Sequence, residues 1–329
     1  MINVCLFGAG RIGAIHAANL ATQPGARLKY VVDVFAESAQ KLAKRYGAEV
    51  TSVEQALDDP DVQAVIIASS TDTHAELLER SAAAGKAIFC EKPIDLDLER
   101  TRACLATLER TGVTCLVGFN RRYDPQFSDL KQRLTDEAIG AVEMVTITSR
   151  DPAPPPANYV KSSGGLFRDM MIHDLDMARW LLGEEPVEVF ATASCLVDPA
   201  IGKAGDVDTA LVTLKTASGK LCQISNSRRA VYGYDQRIEV LGSGGMLQAN
   251  NNLESNLVQT TDAGSQGAKP QHFFLERYAE AYRHELANFI DAVEGKSKPL
   301  ANQNDGLMAL ALAEAAVESA RTGQAVKVQ

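Results

Sequence analysis

A glycine-rich turn near the start of the chain constrains the fold more than any other feature. The run Gly8-Ala9-Gly10-Arg11-Ile12-Gly13 directly follows the apolar segment Val4 to Phe7 and opens a helical stretch. In this context the first glycine permits a tight turn, the second lets the main chain approach a pyrophosphate, and the third allows close packing of helix on strand. The helix N-terminus offers unpaired N–H groups to phosphate oxygens. An ordinary glycine turn is the alternative, but the position favours a dinucleotide-binding domain.

Short apolar runs alternate with helical stretches over the first 120 residues, which is typical of right-handed βαβ crossovers. Such runs suit strands that are covered on both faces. The five predicted strands are Val4 to Phe7, Leu28 to Asp33, Ala64 to Ala68, Ala87 to Cys90 and Thr114 to Gly118. We therefore expect residues 1–120 to form a doubly wound, parallel Rossmann sheet.

The pattern changes in the rest of the chain, where longer strand candidates dominate. The proline-rich segment Asp151 to Pro156 ends one of them, and Ala217-Ser218-Gly219 is a candidate hairpin turn. The candidates are Val142 to Thr148, Val187 to Cys195, Asp208 to Thr216, Lys220 to Ser227 and Gln236 to Gly242. Residues 121–329 are thus predicted to form a second α/β domain with a mostly antiparallel sheet.

Length, charge and cysteine usage exclude several classes of protein. A chain of 329 residues exceeds what one core usually fills, so two domains are expected. The net charge of -9, without a basic cluster, argues against nucleic acid and anionic membranes. No basic leader and no apolar run of roughly 20 residues is present, so a cytoplasmic location is expected. Six cysteines without CxxC spacing predict reduced thiols and no zinc site.

An acidic residue ends the second predicted strand. Asp33 lies twenty residues beyond Gly13, where a carboxylate can accept hydrogen bonds from both adenosine ribose hydroxyls. It would repel the 2'-phosphate of NADP, so NAD is the expected cofactor. A solvated aspartate in a turn is the alternative.

Two further motifs carry candidate chemistry. Cys90-Glu91-Lys92-Pro93 ends the fourth predicted strand, where the ligand-binding loops of doubly wound sheets converge, although this tripeptide is also a common surface turn. In the segment Gly164 to Leu181, Asp169 and His173 are four residues apart on one face of a predicted helix. A structural histidine and an acidic residue favoured near a helix N-terminus are the alternatives.

These motifs together resemble the glucose-fructose oxidoreductase, inositol dehydrogenase and MocA family. The resemblance rests on the glycine turn, Glu91-Lys92-Pro93, the segment Gly118 to Asp124, and Gly164-Gly165 followed by Asp169 and His173-Asp174. It covers essentially the whole length. It implies a Rossmann domain, then a C-terminal α/β domain for substrate binding and oligomerisation. That domain carries a large open-faced sheet, commonly used for homo-oligomer contacts, often tetrameric.

The resemblance also implies roles for individual residues. Lys92, Asp169 and His173 match the catalytic residues of the family. Cofactor contacts are expected from Gly8, Gly10, Arg11, Ile12, Gly13, Asp33, Ser70, Thr71, His74, Glu91 and Lys92. Substrate contacts are expected from Lys92, Arg122, Asp151, Asp169, His173 and Tyr234. The loop around His74 has a second interpretation as a helix N-cap built from Thr71, Asp72 or Thr73, and both can hold together.

The expected activity is NAD-dependent oxidation of one secondary hydroxyl of a cyclic polyol, with myo-inositol, giving 2-keto-myo-inositol, as the leading substrate. His173 would take the hydroxyl proton, because imidazole changes its charge near neutral pH. Lys92 would stabilise the developing negative oxygen, and Asp169 would bind a neighbouring hydroxyl. This hypothesis requires the three side chains to meet around one reactive carbon.

Three alternatives stay open at this point. Another inositol isomer or an aldopyranose can replace myo-inositol, because epimeric hydroxyls differ only in where hydrogen bonds fall. A non-catalytic NAD-binding regulatory protein is a rival of another class. A metal site from Asp169, His173 and Asp176 is conceivable by spacing, but no further ligand cluster supports it, so no metal is expected.

Overall fold

The computed structural model describes residues 1–328, except for the side chains of Ala157, Asn158 and Lys161. Within this range the chain divides into two compact units. The first contains Met1–Tyr123 and Glu280–Leu310, and the second contains Asp124–Ala279 and Ala311–Gln329. The expected division into residues 1–120 and 121–329 therefore differs from the observed one for residues 280–310, which belong to the first unit. That segment joins the first unit because Leu286, Phe289 and Ile290 bury in the same core as Leu6 and Phe89.

The first unit is built on a six-stranded parallel sheet. Its elements are β1 (Ile2–Phe7), α1 (Arg11–Leu20), β2 (Ala26–Val32), α2 (Ala36–Tyr46), β3 (Glu49–Val50), α3 (Val53–Asp58), β4 (Ala64–Ile67), α4 (His74–Ala83), β5 (Ala87–Cys90), α5 (Leu98–Thr111) and β6 (Cys115–Val117). The strand order is β3-β2-β1-β4-β5-β6. The five predicted strands are confirmed within two residues at each end. The two-residue strand β3 was missed, because it is too short and too exposed to show an apolar run.

The switch point of this sheet lies between β1 and β4, where the strand order reverses. Ligands of doubly wound sheets bind at the carboxyl ends of the strands at such a point. The glycine turn follows β1 there, and the Ser69–Thr73 loop follows β4. The fold therefore places the predicted cofactor turn at the edge where cofactors bind.

The second unit carries a seven-stranded mixed sheet. Its elements begin with α6 (Pro125–Thr135), β7 (Val142–Arg150), α7 (Ala157–Ser163), α8 (Ile172–Leu182), β8 (Pro186–Ser194), α9 (Pro199–Lys203), β9 (Thr209–Thr216) and β10 (Leu221–Ser227). They continue with β11 (Asp235–Gly242), β12 (Gly245–Ala249), β13 (Val258–Thr261), β14 (Gly264–Gly267) and α10 (Phe274–Arg277). After α11 (Ala279–Val293) and α12 (Gln303–Thr322), β15 (Val326–Lys327) returns to this sheet.

The order of the second sheet is β12-β11-β7-β10-β9-β8-β15, and among the described strands of this sheet only the β7 and β10 pair is parallel. This confirms the expected mostly antiparallel sheet, and Gly219 closes the predicted hairpin by donating to Thr216 O at 3.1 Å. The sheet strands alternate between buried and exposed residues. One face of the sheet is therefore open.

None of the helices among residues 1–328 combines the length and the apolar character needed to cross a bilayer. All six cysteines are free thiols, five of them buried, and burial raises the pKa of Cys115 to about 12.

Candidate active site

The glycine turn fits the roles predicted for its three glycines. Gly8 has φ +102°, and a Cβ there would lie 2.4 Å from Ala68 O. A Cβ on Gly13 would lie 2.0 Å from Gly8 O, so only glycine lets α1 start this close to the turn. A Cβ on Gly10 would meet no described atom within 4 Å, which leaves the outer side of the turn open. Two glycines thus serve the fold, and Gly10 leaves room for a ligand.

Asp33 supports the turn from the neighbouring strand end. Its Oδ2 accepts a hydrogen bond from Ala9 N at 2.5 Å, and its Oδ1 accepts one from Phe35 N at 2.8 Å. A carboxylate has about four lone-pair sites, so both oxygens keep acceptor capacity for ribose hydroxyls. The residue therefore fits NAD and also anchors the glycine turn, a second role that sequence reasoning did not include.

The loop after β4 is held by a buried histidine. His74 is 2% exposed, with Nδ1 2.8 Å from Pro93 O and Nε2 3.2 Å from Ser69 O. The ring therefore ties the loop to the segment that follows β5. Thr73 occupies the N-cap position of α4, as one interpretation expected, but its side chain makes no capping hydrogen bond. Contacts of Ser70, Thr71 and His74 with a cofactor stay predictions.

Glu91 also has a protein partner, which sequence reasoning missed. His16 Nε2 lies 2.8 Å from Glu91 Oε1, and the His16 ring packs edge-on against Phe89 at 4.7 Å. His16 is fully buried. Its position among the buried residues of α1, with Gly13, Ala17 and Leu20, was the available signal. Glu91 thus anchors the segment on which half-buried Lys92 is carried.

Arg122 lies in a buried 3-10 turn, Asn120–Tyr123. Its Nη1 donates to Leu300 O at 2.7 Å and its Nη2 to Asp305 Oδ1 at 2.9 Å. These two hydrogen bonds anchor the segment 300–305 within the first unit. Contact of Arg122 with a polyol stays a prediction.

Asp169 and His173 do not share one regular helix, which corrects the single helix predicted for Gly164 to Leu181. Asp169 lies in a π-helical turn, Leu166–Met170, closed by Met171 N donating to Leu166 O at 2.9 Å, and α8 begins only at Ile172. π-turns inside helical segments are frequent at functional sites. Gly164 and Gly165, with φ values of +87° and +81°, separate α7 from this π-turn.

The π-turn is fixed at its start by an aspartate from a distant loop. Asp206 accepts hydrogen bonds from Leu166 N at 3.1 and 3.0 Å through its two carboxylate oxygens. A Cβ on Gly165 would lie 2.6 Å from Asp206 Oδ1. Glycine at this position is therefore needed for the carboxylate to reach the turn.

A buried arginine joins two of the predicted substrate-binding carboxylates. Arg228 Nη2 is 3.5 Å from Asp169 Oδ2, and Arg228 Nη1 is 3.6 Å from Asp151 Oδ2. Tyr159 OH donates to Asp169 Oδ1 at 3.1 Å. Arg228 was not among the predicted residues. Its only signal is that it follows β10, which runs parallel to β7, so that both strands end at the same edge.

Tyr234 lies beside a buried carboxylate, that of Asp235. Its ring packs edge-on against Phe273 and Tyr278, each at 6.0 Å between ring centres. Neighbouring Asp235 accepts from Tyr232 OH at 2.6 Å and from Arg237 Nε at 2.7 Å. Burial alone would raise the pKa of Asp235, but the hydrogen bonds from Arg237, Tyr232 and Asn251 hold it below the usual value. A substrate contact of Tyr234 stays a prediction.

No group of three or more His, Cys, Asp or Glu residues in the described part of the chain is arranged to hold a metal ion.

The fold and the glycine turn define the class as oxidoreductases with an NAD-binding Rossmann domain. Residues 2–119 match the family model described as "Oxidoreductase family, NAD-binding Rossmann fold", and residues 131–328 match its C-terminal alpha/beta domain. The chain belongs to the glucose-fructose oxidoreductase, inositol dehydrogenase and MocA family. The expected resemblance and the two-part fold are thereby confirmed.

Relatives and solved structures agree over nearly the full length. The chain is 54% identical to inositol 2-dehydrogenase of Rhizobium meliloti (strain 1021), over 95% of each chain. A myo-inositol dehydrogenase structure from Corynebacterium glutamicum is 42% identical, with a TM-score of 0.96 and coverage of 100% and 99%. A structure of scyllo-inositol dehydrogenase from Lactobacillus casei, with bound NAD(H) and scyllo-inositol, is 30% identical, with a TM-score of 0.92 and coverage of 100% and 99%.

Proposed function

We propose that this protein oxidises one secondary hydroxyl of myo-inositol to the ketone, giving 2-keto-myo-inositol, with NAD as the hydride acceptor. The observation that carries the proposal is the 54% identity to an inositol 2-dehydrogenase across 95% of both chains. The carboxylates Asp151 and Asp169, linked by buried Arg228, support it from this chain's own residues, because paired acceptors suit a ligand rich in hydroxyl donors.

The residues of the first unit suit the cofactor. Gly10 leaves the turn open to a pyrophosphate, and Asp33 has acceptor capacity for ribose hydroxyls. When bound there, NAD would supply the acceptor for the hydride that leaves the substrate carbon. The domain assignment follows: the first unit binds the cofactor, and the second unit supplies most of the polyol contacts and the oligomer contacts.

We assign the proton transfer to His173. As the carbon loses its hydride and the C=O bond forms, the His173 imidazole accepts the hydroxyl proton. The Lys92 ammonium donates a hydrogen bond to the same oxygen and stabilises its developing negative charge. Asp169 accepts a hydrogen bond from a neighbouring hydroxyl and orients the ring. A meeting of the three side chains around one carbon is a requirement of this proposal.

The direct test is NADH formation by the purified full-length chain with a panel of cyclic polyols. We expect the highest kcat/KM with myo-inositol. A higher value with scyllo-inositol, which the related Lactobacillus casei enzyme binds, or with an aldopyranose would replace the substrate and keep the reaction class. NADH binding without turnover on any polyol would overturn the enzyme proposal in favour of a regulatory protein.

We further propose that the open sheet face mediates homo-oligomer formation, with a tetramer as the expected assembly. Four apolar side chains lie in register across neighbouring strands, and each is 37% to 48% exposed: Met246, Leu241, Met144 and Leu221. Contiguous apolar patches of this kind mark interaction sites. Light scattering should give four copies for the wild type and fewer for Leu221→Glu, while Leu196→Glu, in an exposed loop, should leave the assembly unchanged. A monomeric wild type would contradict the assignment.

A cytoplasmic location completes the proposal, since six free thiols suit a reducing compartment. Fractionation of the source cells should recover the protein with cytosolic markers.

A further inference from the structure

Arg228 is a charged residue between the carboxylates of Asp151 and Asp169. None of the roles predicted from the sequence includes it. Its side chain is 3% exposed, whereas those of Asp151 and Asp169 are 18% and 14% exposed. Its Nε and Nη2 atoms are buried and find no hydrogen-bond acceptor among residues 1–328. The guanidinium is therefore out of reach of a bound polyol, while both carboxylates extend toward the surface.

The contact distances show how the guanidinium acts. Charge-assisted N–H···O contacts are usually about 2.7–2.9 Å long, and an arginine devoted to one carboxylate binds it with two parallel hydrogen bonds. Arg228 instead lies 3.5 Å from Asp169 and 3.6 Å from Asp151, using a different terminal nitrogen for each. It spans both carboxylates without using up the lone pairs of either. Two partly buried carboxylates also repel each other, and the cation between them offsets that repulsion.

The main chain fixes the place of this cation. Arg228 N donates to Asp208 O at 2.8 Å, and Asp151 N donates to Ser227 O at 3.0 Å. The ends of β7 and β10 are thus joined directly beside the carboxylates. Tyr159 OH, 3.1 Å from Asp169 Oδ1, is a further polar group that faces this pair.

We propose that Arg228 is a positioning residue for polyol oxidation: it holds Asp151 and Asp169 at a fixed separation, so that their carboxylate oxygens accept hydrogen bonds from two hydroxyls of the same ring. This inference rests on the proposed function and adds to it the element that sets ring orientation. A lysine cannot replace it fully, because an ammonium is a compact point charge without the planar fork that reaches two partners.

The test compares Arg228→Met, Arg228→Lys and Arg228→Ala with the matched control Arg229→Met, which changes an exposed arginine that donates to Leu196 O at 3.4 Å. We expect Arg228→Met to lower kcat/KM for the best polyol by about 10²-fold, the scale of a small misplacement of reacting groups. Arg228→Lys should lose about tenfold, since one carboxylate stays paired. The NADH dissociation constant should stay unchanged in all variants, and Arg229→Met should match the wild type.

Chemical rescue separates positioning from a merely structural role. Methylguanidinium should restore activity to Arg228→Ala, which leaves a cavity, and should not restore it to Arg228→Met, whose side chain fills the cavity. The inference is overturned by wild-type kcat/KM in Arg228→Met or, if that variant does not fold, in Arg228→Lys. It is also overturned by a loss that follows the melting temperature and resists rescue. A wild type that forms no NADH with any polyol would overturn the proposed function and this inference together. An active wild type whose kcat/KM is unchanged by substitution of Arg228 would overturn the inference alone.

Discussion

The two units position their functional residues in different ways. In the first unit the cofactor turn is made by main-chain geometry within a few consecutive residues, where Gly8 and Gly13 permit contacts that any Cβ would block. In the second unit the carboxylates proposed to bind the polyol, Asp151 and Asp169, come from two separate segments and both lie beside Arg228. Local backbone chemistry can therefore be recognised in a motif, whereas a side-chain cluster depends on strand neighbours that a motif does not specify.

The largest effect is expected from the proposed proton acceptor of the second unit. His173→Ala should lower kcat by about 10² to 10⁴-fold, the usual contribution of general acid–base catalysis. NADH affinity, measured by fluorescence, should change little, because the cofactor turn lies in the first unit. Turnover within a few-fold of wild type would show that His173 is not the proton acceptor. The second unit would then lack its proposed catalytic base.

Two alanine substitutions in the first unit should affect different properties: one the free energy of unfolding, the other the affinity for NADH. Gly13→Ala places a Cβ 2.0 Å from Gly8 O and should lower the free energy of unfolding by about 1–3 kcal/mol, as overpacking does. Gly10→Ala meets no described atom within 4 Å, so its unfolding free energy should change by less than about 1 kcal/mol. Its NADH dissociation constant should nevertheless rise. Urea unfolding and fluorescence titration separate the two, and normal NADH binding by Gly10→Ala would contradict the proposed approach of the pyrophosphate.

A smaller change is expected in cofactor choice. Asp33→Ser removes the carboxylate that would face the 2'-phosphate of NADP, so the ratio of kcat/KM for NAD to that for NADP should fall by about tenfold or more. Because Asp33 also accepts from Ala9 N, activity with NAD itself should fall as well. Asp33→Asn, which keeps one acceptor oxygen, is the matched control. An unchanged ratio in Asp33→Ser would show that the preference arises elsewhere.

The smallest effect is expected on the free energy of unfolding, through Asp235 in the second sheet. Hydrogen bonds hold the pKa of buried Asp235 below its usual value despite the opposing effect of burial. A lowered folded-state pKa adds stability that is present above the unfolded pKa, about 3.9, and is lost as pH falls through the folded value. Asp235→Asn should therefore be less stable than wild type at pH 7, with a gap that narrows below about pH 4. Urea unfolding across this range checks it, and a gap independent of pH would exclude the carboxylate charge as its source.

Much of the fold was predictable because its signals are local. Strand β5 was predicted to the residue, since Ala87 to Cys90 is one apolar run, and the hairpin at Gly219 has turn chemistry in its sequence. The assignment of 280–310 to the first unit was not predictable, because it depends on where an amphipathic helix finds its core. Within the site, the π-turn at Asp169 was not predicted, for a related reason. Its residues have helical periodicity, and only the two preceding glycines indicate a departure from a regular helix.

The contact between Gly165 and Asp206 has a consequence for how such sequences can diverge. Since a methyl group at 165 would meet the carboxylate at 2.6 Å, the two positions are not independent. Shortening residue 206 would remove this contact, but an alanine at 165 would still be strained by the φ of +81°, and Leu166 N would need another acceptor. Sequence change at position 206, in a distant loop, is therefore coupled to the π-turn that carries Asp169.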